Sequence, residues 1–153
     1  MRPLAHKIAD DLYEAITGQK GIFSSRITFV GYDNADGRSI YLMDFDGQRM
    51  KRIVKKSSLI TRPRWSPDAK RLAYSSLNKK GKWVINTLNF DTASETEVFS
   101  SKATDLVGDF TPDGKALLLS SSSKGSPDIY MLQLNSKALT PLTYADTQKQ
   151  QQQ

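Results

Sequence analysis

A segment of twelve residues occurs twice in this chain. Trp65-Ser66-Pro67-Asp68-Ala69-Lys70-Arg71-Leu72-Ala73-Tyr74-Ser75-Ser76 returns as Phe110-Thr111-Pro112-Asp113-Gly114-Lys115-Ala116-Leu117-Leu118-Leu119-Ser120-Ser121. The shift is about 45 residues, within the period range of β-propeller blades. A repeating unit of this size is a small sheet of about four strands, which cannot bury both of its faces alone. It gains stability by stacking on its neighbours, so the repeat constrains the fold more than any composition does.

The chain has 153 residues. That is short of a closed ring, since the smallest propellers use about four blades of some 40–45 residues each. The expected fold is mostly β, a partial β-propeller of about two to three blades preceded by one α-helix. Open blade faces and unpaired edges predict that the isolated chain is marginally stable or self-associates.

The charged fraction is 25% and the formal net charge is +6. A basic balance is compatible with an anionic partner. It is also compatible with a protein that simply avoids self-association. No nucleic-acid motif accompanies the charge, so no nucleic-acid partner is expected. The absence of cysteine excludes disulfides, thiolate zinc sites and cysteine nucleophiles. No run of about 18 apolar residues is present, so neither a transmembrane helix nor direct membrane insertion is expected. Met1 does not open a signal sequence; if the protein is exported, its signal lies upstream.

Residues 3–17 read as a helix. Leu4, Ile8, Leu12, Ala15 and Ile16 share one face, and Asp10, Asp11 and Glu14 lie on the other. Gly18 stands where a helix often ends on a left-handed residue. From Ile27 the pattern is β. Ile27–Val30, Ile40–Met43 and Met50–Val54 read as strands, with turns at 33–37 and at Asp46-Gly47, where both residues tolerate positive φ. The plan recurs. Leu72–Ser75 corresponds to Ile27–Val30, Trp83–Asn86 to Ile40–Met43, and Glu97–Phe99 is the third strand. A third repeat has Leu117–Ser120, the turn Lys124-Gly125-Ser126-Pro127, Ile129–Leu132, and a last strand near Pro141–Thr143. Residues 147–153 are Gln-rich and predicted to be disordered.

The repeated motif has a structural logic. Trp65, Ser66, Pro67 and Asp68, like Phe110, Thr111, Pro112, Asp113 and Gly114, fall between one strand and the next. Pro presets φ for the second turn position, Asp suits the third and Gly the fourth. The aromatic is expected to fill space between adjacent blades. Ala69 departs from the pattern. If residue 69 has positive φ, Ala costs on the order of 1 kcal/mol relative to Gly.

These residues resemble the TolB family. Leu4-Ala5-His6-Lys7-Ile8-Ala9-Asp10, followed by Leu12-Tyr13 and Thr17-Gly18, looks like the last helix of that family's N-terminal domain. Gly21-Ile22-Phe23-Ser24-Ser25-Arg26-Ile27 is similar to its passage into the propeller, and the two motif segments are similar to its blades. The blade motif alone also occurs in the propellers of prolyl-oligopeptidase-type peptidases; the helix placed before the first blade is the more specific part. The resemblance spans residues 2–146. It implies a periplasmic protein of the Tol-Pal cell-envelope system, with an N-terminal α/β domain and a six-bladed propeller. Such proteins support envelope integrity during cell division. Their propeller binds the peptidoglycan-associated lipoprotein Pal, the far N-terminus communicates with TolA, and some bacteriocins enter through the same surface. On this reading residues 1–25 are the closing helix and linker of an otherwise missing N-terminal domain, and 26–146 are the partial propeller. The resemblance implies that a signal peptide, most of that domain and about half of the propeller are expected outside these 153 residues, with a Gln run in place of the next blade.

No chemistry competes with that reading. His6 is the single histidine, and the helix offers it only Asp10 at a useful spacing, so a structural role at a domain junction is expected. There is no nucleophile elbow, phosphate loop or His-Glu-x-x-His. Asp33, Asp36, Asp44 and Asp46 fail the calcium-loop spacing. Lys51, Arg52, Lys55, Lys56, Arg62 and Arg64 read as a solvated outer strand, without interleaved aromatics for base stacking. No catalytic, cofactor or metal residues are assigned, and partner-binding residues remain unassigned because propellers place them on variable loops. Two functions follow: a non-enzymatic interaction scaffold, or the non-catalytic propeller portion of a larger serine peptidase.

Overall fold

The computed structural model describes residues 1–33, 37–55 and 59–144. The tail expected at 147–153, the centre of the 33–37 turn and Lys56 lie outside them. The chain divides into two compact units, Met1–Ser57 and Ser58–Gln153.

The first unit opens with α1, Arg2–Thr17. Pro3 suits its first turn, where no intrahelical donor is needed. Gly18 ends it at φ 71, its N–H bonding to the Glu14 carbonyl at 2.8 Å. Then come β1 (Arg26–Asp33), β2 (Gly37–Asp44) and β3 (Lys51–Lys55), an antiparallel meander in that order. The helix faces this sheet with its polar side. The Asp10 carboxylate accepts the Phe23 and Ser24 N–H groups at 2.7 and 2.9 Å. Arg2 and His6 reach Asp46 at 2.7 and 3.2 Å. Tyr13, Phe23 and Phe45 meet edge to face. Gly21 packs so closely that a Cβ would lie 2.6 Å from the Asp10 Cα. The apolar stripe, which periodicity assigns to a core, is instead exposed, with Leu4 at 64% and Ile16 at 83%.

The second unit holds two four-stranded meanders. β4 (Ile60–Trp65), β5 (Arg71–Leu77), β6 (Trp83–Asn89) and β7 (Ser94–Phe99) pair in that order, and so do β8 (Asp105–Phe110), β9 (Ala116–Lys124), β10 (Ser126–Gln133) and β11 (Leu139–Pro141). Leu72–Ser76 of β5 is continuously buried, as a strand covered on both faces must be. Between the two sheets lies one core. Ala73, Ile85 and Val98 from the first meet Val107, Phe110, Leu117, Leu119, Tyr130 and Leu132 from the second. Buried apolar area of this kind stabilises by roughly 25 cal/mol per Å². Neither blade can supply it alone.

Three expectations are corrected. The strand pattern assigns β5–β7 and β9–β11 but leaves the first strand of each blade unassigned. In β4 the sequence Thr61-Arg62-Pro63-Arg64 is polar and contains a proline, which argues against a strand. In β8 Gly108-Asp109 does the same. Both strands tolerate these residues through a register shift against the next strand, between Thr61 and Arg64 and between Val107 and Phe110. At such a bulge a residue leaves the ladder, so a missing N–H costs nothing. Second, the ladders align Ile85, not Trp83, with Ile40: Phe29 pairs Tyr41 as Tyr74 pairs Asn86. The offset is two residues, which preserves the side-chain faces. Third, the hairpin turn expected at Asp46-Gly47 does join β2 to β3, but not with positive φ at both residues. Gly47 has φ 78 and Arg49 φ 51, whereas Asp46 is not among the positive-φ residues. The Asp44 N–H instead closes a longer turn on the Gln48 carbonyl at 2.9 Å.

Candidate functional site

The repeated motif forms the same turn twice. Ser66 Oγ donates to Asp68 Oδ1 and accepts the Arg71 N–H at 2.9 Å; Asp68 Oδ1 accepts the Lys70 N–H at 3.0 Å. Thr111 Oγ1 donates to Asp113 Oδ1 and accepts the Ala116 N–H at 3.0 Å; Asp113 Oδ1 accepts the Lys115 N–H at 3.0 Å. The backbone closes each loop identically, from Ser66 N to Arg71 O and from Thr111 N to Ala116 O, both at 2.9 Å. These bonds hold both carboxylates below the ordinary aspartate range, led by the Ser66 and Thr111 hydroxyls and then the lysine N–H groups. Pro67 and Pro112 lie between the hydroxyl and the carboxylate. Gly114 has φ 68, and Ala69 occupies the same left-handed conformation at φ 54.

The two aromatics diverge. Phe110 is buried in the core between β4–β7 and β8–β11. Trp65 is half-buried and stacks on Phe90, 5.0 Å between centroids, in its own blade. Phe110 thus fills the junction between the two blades of the second unit. That junction is also pinned by polar contacts. The Val107 N–H bonds to Ser75 Oγ at 2.7 Å, and Arg71 Nη2 donates to the Gly114 carbonyl at 2.7 Å with its guanidinium 5.5 Å from the Phe110 centroid. Arg64 pairs with Asp109 at 3.2 Å.

The remaining candidates separate. His6 meets Asp46 at the helix–sheet junction. Asp44 is clamped by Arg49 at 2.6 and 2.9 Å, and Asp46 is held by Arg2, His6 and the Gln48 N–H. The basic stretch is not one strand. Lys51, Arg52 and Lys55 sit on β3, while Arg62 and Arg64 belong to β4. Among the described residues no group of three His, Cys, Asp or Glu side chains is placed to hold a metal ion, and no helix is long and apolar enough to cross a membrane.

One site escaped the pattern. The β5–β6 turn, the β7–β8 loop and the last part of β9 border an open crevice of about 510 Å³, lined by Lys82, Trp83, Lys102, Thr104 and Ser122 among others. The sequence signal was Lys79-Lys80-Gly81-Lys82, which reads as a turn; only the stacking of two blades brings Lys102 beside it.

Antiparallel four-stranded meanders, stacked face to face and sharing one turn motif, define a run of β-propeller blades. The TolB beta propeller domain family matches residues 13–151. The Tol-Pal system protein TolB of Alcanivorax borkumensis is 38% identical over 127 residues, covering 82% of this chain and 29% of its own length. A crystal structure of TolB from Acinetobacter baumannii matches with a TM-score of 0.85 at 32% identity, covering 93% of this chain and 36% of that one. A prolyl endopeptidase structure matches with a TM-score of 0.60 at 20% identity, over 80% of this chain and 20% of that one, a likeness of fold alone. The chain belongs to the TolB family. It spans about a quarter to a third of the length of the curated relatives it matches.

Proposed function

We propose that this chain is part of a non-enzymatic protein-interaction scaffold of the Tol-Pal cell-envelope system, acting in the periplasm. The observation that supports it is the helix anchored directly to the first sheet. Asp10 caps Phe23 and Ser24, so the passage that resembles the TolB family's entry into its propeller is a built junction. Residues 1–25 then serve as the closing helix and linker of a further domain, and 26–146 as propeller blades. The partner is the peptidoglycan-associated lipoprotein Pal. Contact with TolA belongs to the N-terminal domain that precedes α1 in the family, and roles in cell division and bacteriocin entry follow from the same assembly.

The test is titration of purified Pal into the 153-residue chain by calorimetry. Saturable binding at equimolar ratio is expected. No heat with a folded chain, or hydrolysis of peptide substrates by the full-length protein, would overturn the reading.

A further inference from the structure

We propose that the crevice between the two blades of the second unit binds a carboxylate-rich segment of a partner protein, its acidic side chains held by Lys82 and Lys102 beside the Trp83 indole. The proposal rests on the scaffold reading above and adds the chemistry of the bound segment.

Both lysines stand on backbone that is already fixed. Asn78 Oδ1 accepts the Lys80 and Lys82 N–H groups, each at 3.0 Å, and the Asn78 N–H closes the turn on the Lys82 carbonyl at 2.8 Å. Lys102 lies between two anchored residues. Asp105, fully buried, accepts the Ser101 N–H at 2.6 Å and the Ser101 and Ser121 hydroxyls at 2.9 and 2.7 Å. The Ala103 N–H then bonds to Ser101 Oγ at 3.0 Å. Burying a carboxylate is expensive unless it is satisfied by hydrogen bonds. Here the satisfied carboxylate holds the loop that carries Lys102, so binding has to order the lysine side chains but not the backbone beneath them.

Lysines outnumber carboxylates at this end. Lys79, Lys80 and Lys124 are exposed on the same turns. The carboxylates nearby are fewer: Asp105 and Asp128 are buried, and Glu97 accepts the Ser100 hydroxyl at 2.8 Å. Among the described residues neither Lys82 nor Lys102 has a carboxylate within ion-pair distance. The opposite end of the same strands carries both signs, with Lys70 paired to Asp91 at 3.3 Å. A focused positive patch favours an anionic partner. A single indole gives no row of stacking platforms, which directs the assignment to an acidic peptide over a nucleic acid.

The chain holds two tryptophans, so a Trp65→Phe background leaves Trp83 as the reporter. Octaglutamate is titrated while indole emission is followed, with octaglutamine and an oligothymidylate as comparisons. Saturable change with octaglutamate alone is expected. In Lys82→Glu/Lys102→Glu the affinity falls by about tenfold or more, and in Lys70→Glu/Lys115→Glu, with the same change in net charge, by less than about threefold. Lys82→Gln/Lys102→Gln, checked for native circular dichroism, guards against misfolding. Equal losses in the two Glu pairs, no response at Trp83, or tighter binding of the oligothymidylate would overturn the proposal. Pal titrated into the same variants separates the two readings. Unaltered Pal binding with a flat octaglutamate titration sinks the crevice alone. Absent Pal binding with the octaglutamate result intact sinks the scaffold reading alone.

Discussion

Arg71 donates from Nη2 to the carbonyl oxygen of Gly114 at 2.7 Å, joining the start of β5 to the motif turn of the following blade. The same guanidinium lies over Phe110. The position 45 residues on is Ala116, so the two repeats share the turn but not this contact.

Arg71→Ala should therefore destabilise the chain by about 1–3 kcal/mol, the worth of a charged hydrogen bond with a partly exposed cation–π contact. The urea midpoint should fall with no change in slope. An unaltered midpoint would show that the Arg71 contacts add nothing to the blade junction.

Ala69 and Gly114 share a left-handed conformation, at φ 54 and 68. Ala69→Gly should stabilise by about 1 kcal/mol, and Gly114→Ala should destabilise by at least that much. The second change is the worse one because a Cβ at 114 would sit 3.0 Å from Arg71 Nη2. A lower melting midpoint for Ala69→Gly contradicts the turn geometry.

Ser75 is fully buried and accepts the Val107 N–H at 2.7 Å. Removing the acceptor in Ser75→Ala leaves a buried donor unsatisfied, at a cost of about 1–3 kcal/mol. Amide exchange at Val107 should accelerate more than at Leu119 in the neighbouring strand. Uniform acceleration across β8 and β9 would instead mean global loosening.

Acid should loosen the helix from its sheet. Hydrogen bonds from the Ser24 hydroxyl and from the Phe23 and Ser24 N–H groups outweigh desolvation and hold Asp10 below the ordinary aspartate value. The Gln48 N–H, His6 and Arg2 do the same for Asp46. A lowered folded value means that the contribution is complete above the unfolded pKa of about 3.9 and disappears as pH falls through the folded one. Amide exchange of Phe23 and Ser24, compared between pH 5 and pH 2.5, should show the loss, and Asp10→Asn should flatten it. Identical profiles for the parent and Asp10→Asn would remove Asp10 from the junction.

The repeat, its turn motif and the helix with its Gly18 stop were legible because each is a local rule: a φ preference, a hydroxyl and a carboxylate two residues apart, a 3.6-residue period. Strands β4 and β8 were not legible. Pro63 and Gly108 violate strand preference, and only the bulge against the next strand makes them acceptable. The capping role of Asp10 was likewise not legible, because nothing local announces that Phe23 and Ser24 fold back to meet it.

By itself, then, the sequence determined that this chain is built of propeller blades and where the two motif turns fall, since a period and a turn motif are encoded within a few neighbouring residues. Only the tertiary structure decided that Phe110 enters the junction between the two blades of the second unit, that Arg71 reaches Gly114, and that Lys82 and Lys102 line one crevice. Those are relations between residues distant in the chain, and they arise when two sheets cover each other's apolar faces and bring their loops to the same end.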